Sequence, residues 1–268
     1  MSGNRFRWSM RAVLLPAFAL LFILSAACDD DGGGDDEASA DVRTAVEAAV
    51  DAWNTSDVEA LLAQFTDAGL QSSFEATSRE EAAQFLPEFI GDPAITSGEL
   101  EITVDGDTAT ADAKQWAFGE LVQPTRISLV TEGDVWLIDA EEDLPVEIPE
   151  GATAVDLKTL EYQFDFDESA ITSGDIAFAV ENIGGEDHFV DLSRIPADLD
   201  IEQALQSEEE PAGIENIGST DPIEPGGEAT MVFAEPLAAG RYVLLCFIEA
   251  ADGEPHALKG MVGEFTIE

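Results

Sequence analysis

The sequence predicts two folded domains, an α+β domain followed by an all-β sandwich. Three observations predict this. From Ala40 to Leu86 apolar residues recur at helical spacing, and after Ser97 the period changes to two. Pro145 and Pro149-Glu150-Gly151 then mark a linker. Beyond it, short alternating runs are separated by Gly, Pro and Asp, the pattern of a β-sandwich.

The composition sets limits on function. The chain has 268 residues and 45% hydrophobic residues, enough for two ordinary cores. It has 11 Lys+Arg against 57 Asp+Glu, a net charge of −46. Arg5, Arg7 and Arg11 lie in the first eleven positions, and no acid precedes Asp29. Removing that leader leaves 8 basic and 57 acidic residues, or −49. So negative a surface repels nucleic acid and anionic lipid heads. It also predicts a salt-tolerant or halophilic source, since salt screens the self-repulsion. A merely acidic secreted protein is the alternative.

The N-terminus reads as a secretory leader. Arg5–Arg11 is a basic region, Ala12–Leu24 an apolar run too short to span a membrane comfortably, and Ser25-Ala26-Ala27 a small-residue cleavage site. Leu24-Ser25-Ala26-Ala27-Cys28 resembles a bacterial lipobox, although Ser25 stands where that pattern prefers Leu. The resemblance implies a signal peptide over 1–27, lipidation of Cys28 and a lipid anchor outside the cytoplasm. Plain secretion, with Cys28 free or in a disulfide, is the alternative. Residues 28–38, opening Cys28-Asp-Asp-Asp-Gly-Gly-Gly, read as an acidic flexible tether.

Residues 39–148 form the α+β domain. Val42, Ala45, Val46, Ala49, Val50 and Trp53 share one helical face. Asn54–Asp57 breaks that helix and caps a second, Val58 to Phe65. Ser78-Arg79-Glu80-Glu81 is a capping box opening a third. Asp105-Gly106 is a hairpin signal between Leu100–Val104 and Thr108–Trp116, with further strands at Arg126–Val130 and Val135–Ile138. Phe65, Phe74, Phe85, Trp116 and Trp136 read as core. The element order and the Ala52-Trp53-Asn54…Phe65-Thr66 run resemble the NTF2-like (SnoaL-like) cone fold. That fold hosts enzymes, binders and association domains, so it assigns no activity. With no His in this region and no acid that stands out, the domain reads as a binding or dimerisation module, with a homodimer as one outcome.

Residues 149–268 form the sandwich, with a short helix expected within Asp198–Gln206. The stretch Cys246–Met261 gathers a thiol, an imidazole at His256 and a thioether, donors that suit copper. The chain has only two His, His188 and His256, and only two Cys, Cys28 and Cys246. Ile176–Asn182, Gly184 and His188, then Ile223-Glu224-Pro225-Gly226, then Leu237-Ala-Ala-Gly-Arg-Tyr-Val-Leu-Leu-Cys246 resemble the cupredoxin (blue copper) family and imply its Greek-key sandwich. By that resemblance His188, Cys246 and His256 are equatorial ligands of one type-1 copper, and Met261 is the weak axial ligand. The spacing Cys-x9-His-x4-Met is longer than in the small electron carriers of the family. A metal-free relative and Zn²⁺ at a His₂Cys site stay open, with Cys246 as a buried thiol and Met261 as core filler.

The expected function is one-electron transfer, not catalysis. A type-1 centre leaves no coordination position for substrate, and the further His that catalytic copper centres need do not exist. The acidic surface implies a redox partner with a basic patch. A copper-binding or storage lipoprotein without a redox role, and a metal-free ligand-binding protein, are the alternatives.

Overall fold

A computed structural model of the chain describes residues 34–207 and 211–268. The leader, the lipobox with Cys28 and the first residues of the tether lie outside the described residues. The chain divides into two compact units. One runs through Gly119 with Gln123–Pro145, and the other holds Val146–Glu268 with Glu120–Val122. The result is a mixed α+β protein with several sheets.

In the N-terminal unit α1 spans Gly34–Asn54. It begins before Ala40 and so takes in the end of the acidic tether, because neither Pro nor Gly interrupts Asp35–Asn54. Val42, Val46, Ala49 and Trp53 are its buried face. Asp57 caps α2 (Val58–Leu62) by accepting from the Ala60 N–H at 3.0 Å. The sequence reading missed α3 (Asp67–Phe74), capped by Thr66 through the Gly69 N–H at 2.9 Å. Ser78 caps α4 (Arg79–Phe85), and the Glu81 carboxylate turns back to the Thr77 N–H at 2.8 Å. The strands that follow in the chain are β1 (Ile95–Thr96), β2 (Leu100–Asp105), β3 (Thr108–Ala113), β4 (Ala117–Phe118), β5 (Leu121–Val122), β6 (Thr125–Glu132) and β7 (Val135–Asp143), of which β5 belongs to the C-terminal unit. An antiparallel sheet of order β2-β3-β6-β7 backs the helices. The expected strand through Trp116 stops at Ala113. Phe65, Trp116 and Trp136 are buried, while Phe74 and Phe85 pack against that core half-covered.

In the C-terminal unit the strands are β8 (Thr153–Leu160), β9 (Gln163–Asp165), β10 (Ile176–Asn182) and β11 (Asp191–Ile195). After α5 (Ile201–Leu205), capped by Asp200, come β12 (Glu215–Ser219), β13 (Glu228–Val232), β14 (Gly240–Leu245) and β15 (Val262–Ile267). They form two four-stranded sheets, β13-β10-β8-β9 and β12-β11-β14-β15. Every pairing is antiparallel except β8 with β10, which is parallel. Alternating residues of both sheets, among them Leu157, Phe178, Leu192, Tyr242, Leu244 and Phe265, make one core. The Tyr242 hydroxyl donates to Ala238 O at 2.7 Å, so its burial leaves no orphaned donor. Among the described residues no helix is long and apolar enough to cross a membrane.

Candidate metal centre

Cys246 follows the last residue of β14, a strand paired on both sides, by β11 and β15. Its side chain is fully buried. Burial pushes the thiol pKa up, and the backbone N–H groups of Phe189 and Ile248 pull it back. Two donors aimed at sulfur suit a thiolate better than a thiol.

The long loop after Cys246 is folded, not slack. Glu249 and Pro255 form an antiparallel bridge, and the Ala250 N–H donates to Glu254 O at 3.0 Å. The returning strand brings the His256 N–H to Ile248 O at 2.9 Å and the Ala257 N–H to Cys246 O at 2.7 Å. Pro255 opens the 3₁₀ turn His256–Lys259, and Gly260 ends it with φ 106°, a left-handed conformation that glycine adopts freely. Met261 then donates its N–H to His256 O at 3.0 Å. Its side chain is fully buried in the same core as Cys246.

The chain reaches His188 from β10, a strand of the other sheet. It sits outside β11, in an isolated bridge with Ile223: the His188 N–H donates to Ile223 O at 3.1 Å, and the Ile223 N–H returns to His188 O at 2.6 Å. The loop between β10 and His188 is fastened by the buried Asn182. Its Nδ2 donates to Ile223 O at 2.7 Å and Glu186 O at 2.9 Å, and its Oδ1 accepts from the Gly184 N–H at 2.9 Å. The Asn182 backbone is also paired, to Gly227 O and from Gly226 N.

These supports bring three donors together. His188 Nδ1 lies 3.1 Å from His256 Nδ1, and Cys246 Sγ lies 3.6 Å from His256 Nδ1. All three ligand atoms lie within 4.8 Å of one another on fully buried residues. It is the one such group among the described residues. An ion bonded at about 2.0–2.1 Å to nitrogen and about 2.3 Å to sulfur separates its donors by about 3.3–3.8 Å at tetrahedral to trigonal angles. The Sγ–Nδ1 spacing falls inside that range, and the Nδ1–Nδ1 spacing falls just short of it. Burial and the neighbouring His256 lower the His188 pKa, which favours the neutral imidazole that ligates metal. The Nε2 atoms of both imidazoles are buried without an aligned hydrogen-bond partner. It is the Nδ1 atoms that face one another and Cys246 Sγ, so coordination would run through Nδ1 and leave each ring's proton on Nε2. A His₂Cys donor set is compatible with copper.

Several surrounding residues escaped the sequence reading. Glu186 Oε2 lies 3.1 Å from His256 Nε2. Glu161, at the turn between β8 and β9, accepts from the Gly185 and Glu186 N–H groups. Tyr162 packs edge-on to the His256 ring with centroids 5.1 Å apart, and Lys259 lies over the Tyr162 ring. Nothing in the sequence distinguishes these two glutamates from the other acids.

No protein-family model and no curated protein matches the chain. Solved structures are similar to parts of it. Reduced auracyanin from the photosynthetic bacterium Roseiflexus castenholzii is 25% identical over 44% of this chain and 99% of its own, with a TM-score of 0.32. An NTF2-like protein of unknown function from Pseudomonas putida is 14% identical over 41% of this chain and 87% of its own, with a TM-score of 0.32. A protein of unknown function with a cystatin-like fold from Nostoc punctiforme is 16% identical over 39% of this chain and 87% of its own, with a TM-score of 0.33.

Proposed function

We propose that the C-terminal unit is a Greek-key cupredoxin-like domain that holds one copper ion through His188 Nδ1, His256 Nδ1 and Cys246 Sγ, with Met261 as a weak axial ligand, and serves as a one-electron carrier. The observation that carries this reading is the convergence of both histidines and the one described cysteine on a single buried point. Copper bound there supplies a one-electron couple. The chain's part is to keep the donors in place and water out. Cys246 is fixed by the central strand, His256 by the folded return loop and His188 by Asn182. Donors held this firmly change little between oxidation states, which favours fast transfer.

The same reading takes Cys28 as a lipid anchor outside the cytoplasm and an acidic surface that steers the carrier to a basic patch on its partner. Six of the eight Lys and Arg beyond the leader already pair with carboxylates, which leaves the acidic excess exposed to such a partner. The N-terminal unit is taken as a binding or dimerisation module.

Adding Cu(II) to the purified soluble chain tests the reading. The expected result is an intense visible thiolate-to-Cu(II) band that saturates at one ion per chain, bleaches with reductant and returns with oxidant. Tight Cu(I) binding without that band points to storage, and no copper binding at all refutes the site.

A further inference from the structure

The outer edge of the His256 ring is closed by a carboxylate. His256 Nε2 and Glu186 Oε2 are both shielded from water, lie 3.1 Å apart, and have no other partner. A buried carboxylate oxygen and a buried ring nitrogen left unpaired are each costly. Coordination through Nδ1 resolves both, because it leaves the ring's one remaining proton on Nε2, facing Glu186. The Glu186 backbone is well held, and its side chain, 40% exposed overall, turns Oε2 inward. The Glu186 carbonyl accepts from Asn182 Nδ2 at 2.9 Å, and its N–H donates to Glu161 Oε1 at 3.2 Å.

We infer that Glu186 is a positioning residue of the metal centre, which fixes the His256 tautomer and sets a negative charge beside the ion that favours its oxidised, more highly charged form. This rests on the copper reading above. An anion held by the shell around a ligand raises ligand basicity and orients the ring. A fixed negative charge also attracts a divalent ion more than a monovalent one. With Glu186 in place the centre therefore holds Cu(II) more tightly relative to Cu(I), which lowers the reduction potential.

Cu(II) and Cu(I) affinities of the full soluble chain, measured by chelator competition, test the inference together with the potential from spectroelectrochemistry. Glu186→Gln keeps the size and removes the charge. It should lower the Cu(II)/Cu(I) affinity ratio about tenfold, an upward shift of about 59 mV for one electron. Glu186→Asp, which keeps the charge, should recover part of the ratio and guards against a folding defect in the first variant. Glu202→Gln, the same charge change at an exposed position on α5, should leave the ratio unchanged because solvent screens it. If Glu186→Gln weakens both oxidation states equally, its role is only structural and the inference is overturned. Wild-type chain that binds no copper overturns the copper reading and the inference with it.

Discussion

Asn182→Ala isolates the fastening of the His188 loop. The side chain is fully buried and makes three hydrogen bonds, two donated and one accepted. Each is worth about 1 kcal/mol net, and a partner left without water costs about 1–3 kcal/mol. Ile223 O keeps the His188 N–H, while Glu186 O and the Gly184 N–H, on half-buried residues, lose their Asn182 partner and are open to partial hydration. The expected loss is ~3 kcal/mol, a large share of the ~5–15 kcal/mol that holds a domain together. The tryptophans of the described residues, Trp53, Trp116 and Trp136, all lie in the N-terminal unit. Urea denaturation should therefore move the circular dichroism transition of the C-terminal unit and leave the tryptophan fluorescence transition in place. Copper affinity should fall as well, since the loop carries His188. Asn182→Asp keeps the shape but turns an acceptor toward two carbonyls, so at pH 7 it should cost at least as much as Ala. A loss under about 1 kcal/mol for Ala, or wild-type stability for Asp at pH 7, refutes the reasoning.

Three further outcomes are expected. Cys246→Ser should abolish the visible band while circular dichroism stays unchanged; a variant that keeps the colour removes Cys246 from the site. Burial raises the Asp191 pKa to about 6 despite donors from Asn216 and Ser193. The folded state thus prefers the protonated acid, so the Asp191 contribution to metal-free stability should rise as pH falls from about 6 toward about 4, the unfolded value, while the lowered His188 pKa contributes in the opposite direction. Asp191→Asn should flatten that slope and stabilise the chain at pH 8 by ~3 kcal/mol, read from denaturation midpoints at several pH values. Finally, the melting temperature should climb with added NaCl as salt screens the acidic surface, and a flat or falling response counts against the salt-tolerant reading.

What could be read in the sequence follows residue type. Ser78 with Glu81, Asp57 and Asp105-Gly106 each carry local chemistry that forces a cap or turn, and they sit where that chemistry predicts. His188, Cys246 and His256 stood out because His and Cys are scarce in this chain. Helix α3 was invisible because Asp67-Ala68-Gly69 carries little apolar pattern. Gly69 is there for closeness: a Cβ at that position would lie 2.1 Å from Ile138 O. Strand β12 is a mostly exposed or half-exposed edge, with only Ile217 buried, so it lacks a period-two signal. The parallel pairing of β8 with β10 joins segments with no local sign of one another. Glu186 and Glu161 gain their meaning only from the loop geometry around His188.

X-ray absorption at the copper edge of the loaded chain tests the three-donor centre most directly. The predicted first shell has one short copper–sulfur contact and two imidazole nitrogens. A shell of oxygen and nitrogen alone, without the short sulfur distance, would mean that copper sits on surface carboxylates and not on His188, Cys246 and His256.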